Sequence, residues 1–153
     1  MEERVELAKQ LTSRLLQRMG VETEVEGFLE EGELYLEIKS GEEGILIGKH
    51  GRTLDSLQFL INRMVNKEQK EFIRVVLDIN HYRKRRNDSL KKMAIRLGES
   101  VKRTNRGMTI GPFNAYDRRI IHITLQENPV LRTESIGEGE MKRIKIITAK
   151  KEG

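Results

Sequence analysis

A chain of 153 residues with 37% hydrophobic and 35% charged side chains supports one or two small cores beneath a large wet surface. It has no cysteine, which excludes disulfides, thiol nucleophiles and Cys-ligated zinc or iron–sulfur centres, and three histidines cannot alone build a metal cage. The net charge of +5 hides an asymmetry: residues 1–43 carry 12 acidic and 5 basic side chains, whereas residues 81–119 carry 12 basic and 3 acidic. Such a basic segment attracts phosphate backbones at low salt. No apolar run is long enough to span a bilayer, and the N-terminus lacks the basic-then-apolar order of a signal peptide. A cytoplasmic protein without membrane insertion is expected.

Periodicity gives the elements in chain order. Val5, Ala8, Leu11, Leu15 and Met19 recur at helical steps over 2–19, and Gly20 can end that helix. Strands are predicted at 21–28 and 33–39 around a Glu31-Gly32 turn. A short helical run at 44–47 precedes Gly48-Lys49-His50-Gly51. A helix over 53–65 follows, with Leu54, Leu57, Leu60, Ile61 and Met64 on one side. A strand over 72–79 points Ile73, Val75, Leu77 and Ile79 one way. A second half begins with a long helix, about 80–104, whose apolar stripe is Leu90, Met93, Ala94, Leu97 and Val101. A short strand is expected at 108–110, then a helix over 114–126 with Asn114 as N-cap, stopped by Asn128-Pro129. Antiparallel strands at 130–136 and 143–148 flank a Gly-Glu-Gly-Glu turn. Residues 150–153 are expected to fray. The fold class is α+β, with two small modules at 1–79 and 80–150 and the long helix as a spacer between them.

The sharpest local signal is Ile47-Gly48-Lys49-His50-Gly51-Arg52. Glycines let the backbone turn tightly and pass close to a ligand. The N–H groups opening the next helix would face the loop and could receive phosphate, with charge from Lys49, His50 and Arg52. The segment is too short for a P-loop and is not GxGxxG, so a clamp for single-stranded nucleic acid fits better. With these residues in that element order, 2–79 resembles a type II KH domain (α-β-β-α-α-β). The resemblance implies that Gly48, Lys49, His50 and Gly51 hold a single strand by its backbone. It also implies that Ile45, Leu46 and Ile47 border or support an apolar groove for bases, with Leu36 and Ile38 underneath.

The second signal is Asn114-Ala115-Tyr116-Asp117-Arg118-Arg119-Ile120-Ile121-His122. Arg118 and His122 are four apart and share a helical face. Either they meet one phosphate together, or a surface arginine lies beside a structurally satisfied histidine. Residues 80–148 resemble the small single-stranded nucleic-acid-binding module named for its Arg-x-x-x-His motif. That likeness implies binding roles for Arg118 and His122, with Arg119 as a basic neighbour. The two halves together resemble the nucleic-acid-binding portion of the Jag family of bacterial proteins. Members commonly carry a further N-terminal Jag domain, for which there is no room before the first helix. A short member or a fragment is therefore expected. The family is associated with post-transcriptional regulation and with cell division or envelope growth, and a small single-KH protein is its implied partner.

At the junction, Tyr82 either stacks on a base or fills the core, and Arg83, Arg85 and Arg86 could continue a phosphate track between the motifs. One strand engaging both modules is the expectation. An enzyme is not: Asp117 and His122 are five apart, poor spacing for a helix-borne acid–base pair, and His50 lacks an evident second base. No cofactor is expected. The reading is a non-enzymatic binder of single-stranded RNA, in preference to single-stranded DNA. The alternative is an assembly protein that pairs with another KH protein.

Overall fold

The computed structural model describes residues 1–149; residues 150–153, including the predicted frayed end and the expected boundary at 150, lie outside the described residues. The chain divides into two compact units, with the division after Arg83.

The first unit contains α1 (Glu2–Arg18), β1 (Glu24–Glu30), β2 (Glu33–Lys39), α2 (Glu43–Ile47), a 3-10 turn at Lys49–Gly51, α3 (Arg52–Asn66) and β3 (Val75–Ile79). This is the α-β-β-α-α-β order read from periodicity. The sheet order is β1-β2-β3. β1 and β2 are antiparallel, with Gly27 opposite Leu36, and β3 lies parallel to β2, with Leu77 opposite Leu36. Leu34, Leu36, Ile38, Val75, Leu77 and Ile79 point from the sheet into a core shared with Ala8 and Leu16 of α1 and with Leu54, Leu57 and Ile61 of α3.

Three sequence expectations shift for physical reasons. β1 starts at Glu24 rather than 21, because Gly20 (φ 79°) and Val21 close α1: their N–H groups donate to Gln17 O (2.9 Å) and Leu16 O (3.1 Å). Leu60 and Met64 are not core residues; α3 buries Leu54, Leu57, Ile61 and Val65 and leaves those two exposed beside the stripe. β3 begins at Val75, while Phe72 is 74% exposed.

The outer edge of β3 is paired by side chains. Asn62 donates to Val75 O (2.6 Å) and accepts from Val75 N (2.8 Å). Asn66 does the same with Ile73 O and N, both at 2.8 Å, and Gln58 Oε1 accepts from Leu77 N at 3.0 Å. Spaced four apart on α3, the three amides stand where a fourth strand would pair, which satisfies an otherwise open edge.

The second unit comprises most of α4 (Tyr82–Thr104), then β4 (Met108–Phe113), α5 (Ala115–Gln126), β5 (Leu131–Ile136) and β6 (Lys142–Thr148). Its sheet order is β4-β6-β5, antiparallel throughout, with a register shift between Ile110 and Phe113 around a cis Gly111-Pro112 bond. The expected short strand therefore runs on to Phe113. Asn114 caps α5 as expected, its Oδ1 accepting from Asp117 N at 2.8 Å. Leu90, Ala94, Val101, Ile121, Leu125, Ile144 and Ile146 form the core. The expected stripe packs on this core, and α4 also buries Gly98, which it did not include: a Cβ at Gly98 would stand 2.8 Å from a Leu125 methyl, so glycine lets α4 and α5 approach closely. α4 starts at Tyr82 and not at 80, because Asn80 (φ 49°) and His81 (φ 56°) are left-handed.

Candidate nucleic-acid interface

Helix α2 is only five residues long and stops at Gly48 (φ 72°, ψ 179°), a conformation that L side chains rarely adopt. A Cβ there would also collide with the Thr53 side chain. The chain then passes through His50 (φ 59°, ψ 22°) and Gly51 (φ 75°, ψ 13°) before α3 begins at Arg52. Three positive-φ residues within four positions fold the loop back on itself. Leu46 and Ile47 anchor its near side in the core, at 0% and 7% exposure. Lys49 and Arg52 are exposed and His50 is partly so. The loop thus presents cationic side chains next to the first N–H groups of α3, the combination that receives a phosphate.

The expected groove residues separate into two kinds. Leu36, Ile38, Leu46 and Ile47 are inside the core and shape the site from beneath. Ile45, 60% exposed, is the apolar side chain of that run that faces solvent.

The basic junction residues also separate. Arg83 donates from Nε to Leu77 O (3.1 Å) and from Nη2 to Gln58 Oε1 (3.0 Å), inside the first unit. Arg86 is paired with the nearly buried carboxylate of Asp117 at 2.9 Å, inside the second. Arg85 is exposed and, with Ser89, Lys92 and Arg96, lies along one side of α4. Tyr82 is half-buried against the first core, so of its two readings the structure favours packing.

In the second unit, α5 directs its motif toward the hairpin. Arg118 Nη1 donates to Phe113 O (2.7 Å) and Glu140 O (2.8 Å), tying the end of β4 to the turn between β5 and β6. His122 lies along β5, with Nδ1 2.6 Å from Thr133 Oγ1 and Nε2 2.9 Å from Ser135 Oγ. Burial first, and then the Arg118 charge, hold its imidazole below the ordinary pKa of 6.5, so the neutral ring prevails at pH 7. The pair shares one helical face, as the spacing required. Facing it, β5 presents Thr133 and Ser135, which the motif did not announce. Arg119 is exposed, between Tyr116 (56% exposed) and Ile123 (50% exposed). The steps of three and four from Tyr116 were legible as a helical stripe, but nothing in the sequence said that this stripe is the solvent side. Among the described residues no group of three or more His, Cys, Asp or Glu could hold a metal ion, and no helix is long and apolar enough to cross a membrane.

Two domain families match in succession. Residues 5–79 match the KhpA/KhpB KH domain, and residues 88–148 match the domain named for its Arg-x-x-x-His motif. Among curated proteins, the chain is similar to the RNA-binding protein KhpB of Clostridium symbiosum, 43% identical over 134 residues, which is 88% of this chain and 60% of that protein. It is 35% identical over 104 residues to RNA-binding protein KhpB of Bacillus subtilis, covering 67% of this chain and 50% of that one. It is 32% identical over 115 residues to RNA-binding protein KhpB of Lactiplantibacillus plantarum, covering 75% and 36%. The chain therefore spans roughly a third to three fifths of the length of these relatives.

Proposed function

The chain belongs to the KhpB, or Jag, family of proteins that join a KH domain to an Arg-x-x-x-His domain, and on that premise we propose that it binds single-stranded RNA through the Gly48–Gly51 loop. It does so as a non-enzymatic module in the cytoplasm. The observation that carries this reading is the loop itself: two glycines and a left-handed His50 hold Lys49 outward at the N-terminus of α3. Phosphates enter the loop, and a base rests against Ile45. The Arg118/His122 module adds a second, weaker contact, and Arg85, Lys92 and Arg96 add salt-dependent, sequence-tolerant attraction. The regulatory role of the family, in gene expression and envelope growth, is proposed for this chain on the same premise.

The test is fluorescence anisotropy with short labelled single-stranded RNA and matched DNA at two salt concentrations, comparing the parent with a Lys49→Asp/His50→Asp variant. Carboxylates beside phosphate should weaken RNA binding by at least roughly tenfold, since Lys49→Asp replaces an attraction by a repulsion and His50→Asp adds a second negative charge. Equal binding by both proteins would move the site elsewhere. Equal affinity for DNA would remove the RNA preference.

A second reading, assembly with another KH module, is favoured by one feature. Phe59 and Phe72 are 63% and 74% exposed and line, with Met64, a groove of about 650 Å³ on the outer side of α3. Light scattering after nuclease treatment distinguishes protein pairing from RNA bridging. A Phe59→Glu change should abolish the pairing and leave RNA binding intact.

A further inference from the structure

The segment between the last KH strand and the long helix makes more contacts with the loop's supports than a connector needs. Asn80 and His81 are consecutive non-glycine residues with φ of 49° and 56°. Residues with side chains are uncommon there, Asn and His the least reluctant among them, and their surroundings help to hold them. Asn80 shows how. Its Nδ2 donates to Ser40 O at 2.8 Å and to Glu43 Oε2 at 3.1 Å, its Oδ1 accepts from Ser40 N at 3.1 Å, and its own N–H donates to Ile38 O at 2.9 Å. One amide thus ties down the connection that leads into α2 and the first residue of that helix. Two residues on, the Tyr82 ring lies against the far end of the loop: a Cβ at Gly51 would stand 3.2 Å from Tyr82 Cε1 and 3.3 Å from its hydroxyl oxygen. Arg83 then reaches α3. Besides its bonds to Leu77 and Gln58 it places Nη1 3.6 Å from Asp55 Oδ1, and its N–H donates to Asp78 Oδ1 at 3.3 Å. Gln58 in turn accepts from Leu77 N, so α3, β3 and the junction close into one hydrogen-bonded unit.

We infer that Asn80, Tyr82 and Arg83 are positioning residues of the Gly48–Gly51 loop. They hold the helix that enters it, the glycine that closes it and the helix that leaves it, without themselves touching the nucleic acid. The residues lie beyond the 5–79 stretch that matches the KH family, and two of them were natural candidates for direct contact. A half-buried ring with one side against glycine has little surface left for a base, and a guanidinium bound to a carbonyl, an amide and a carboxylate is a weak partner for phosphate. Their contribution is preorganisation: a loop already in its binding shape loses less entropy when the strand arrives.

The inference rests on the proposal that this loop is the RNA site, and the experiment separates the two. In the RNA-free full chain, amide hydrogen exchange of residues 48–51 is measured for the parent and for Asn80→Gly, Tyr82→Ala, Tyr82→Phe and Arg83→Gln. Binding of a labelled single-stranded RNA is measured at several salt concentrations for the same proteins. Asn80→Gly keeps access to positive φ but removes the amide; Tyr82→Phe keeps the ring. Exchange in the loop should rise roughly tenfold or more in Asn80→Gly and Tyr82→Ala, as expected for a released local structure, and rise less in Tyr82→Phe than in Tyr82→Ala. Affinity should fall by roughly tenfold in Asn80→Gly, Tyr82→Ala and Arg83→Gln with an unchanged dependence of log K on log salt, because no phosphate contact is lost. Unchanged loop exchange in Asn80→Gly and Tyr82→Ala would overturn the inference. So would a shallower salt slope in Arg83→Gln, which marks a direct phosphate contact, or lower melting temperatures with parental loop exchange and RNA affinity, which mark a merely structural role. If Lys49→Asp/His50→Asp binds RNA like the parent, the site proposal fails while the exchange measurement still decides the positioning role.

Discussion

His122 and Arg118 show how a motif residue can be held by its own fold. The imidazole sits between two hydroxyls, and burial and the neighbouring guanidinium depress its pKa. On unfolding the ring regains its ordinary value and binds more protons than the folded form in the interval below about 6.5. Its contribution to stability is therefore complete above that pH and is lost as pH falls through the interval toward the depressed folded value. Urea titrations of the full chain from pH 8 to pH 5 should show this decline, and His122→Gln should flatten it. A decline equally steep in the variant would assign the effect to other groups. Arg118 is tied to two carbonyl oxygens. Arg118→Ala should destabilise the second unit by about 1.5–3 kcal/mol, the range for hydrogen bonds to charged groups, visible as a lower denaturation midpoint. With a neutral His122 and an engaged Arg118, the double alanine variant should weaken RNA binding less than Lys49→Asp/His50→Asp does. The residue types at these positions were legible in the sequence. Their orientation was not, because Thr133, Ser135 and the Glu140 carbonyl arrive from later elements, beyond the end of α5.

Helix α3 does three jobs on three faces. One face buries Leu54, Leu57, Ile61 and Val65. A second bears Gln58, Asn62 and Asn66, which pair the edge of β3. A third leaves Phe59 and Met64 in solvent. Periodicity identified the helix and most of its buried stripe, but it assigned Leu60 and Met64 to the core because hydropathy alone cannot tell an inner apolar face from an outer one. The amide ladder had a visible signal, polar amides four apart beside an apolar stripe, yet its meaning depends on a strand edge lying opposite. Asn62→Ala should leave the N–H and C=O of Val75 unpaired in a buried strand and cost about 2–3 kcal/mol. Thermal unfolding checks this. A variant as stable as the parent would mean that water replaces the amide.

Over the whole molecule, charge and core are partitioned along the chain. The two cores share no residue, and the division falls after Arg83. A fragment ending at residue 83 should retain a cooperative unfolding transition, whereas one ending at 79 loses the contacts of Asn80, Tyr82 and Arg83 and should melt lower. If both modules engage one strand, the 1–83 fragment should bind long single-stranded RNA at least roughly tenfold more weakly than the full chain, because tethering turns the second contact into an intramolecular one. Equal affinity of fragment and full chain would confine binding to the KH domain.

Element order, the two modules, the glycine loop and the Arg-x-x-x-His spacing were written in the sequence, because each depends on local periodicity or on backbone freedom at a few positions. Tertiary structure decided which cations face solvent. Among the basic residues singled out, Arg83, Arg86 and Arg118 have their guanidinium groups engaged by internal oxygens, while Lys49, Arg52 and Arg119 are exposed. The physical reason is that a charged group's partner is set by what folding brings within about 3 Å of it, and those oxygens come from elements whose positions no local pattern encodes.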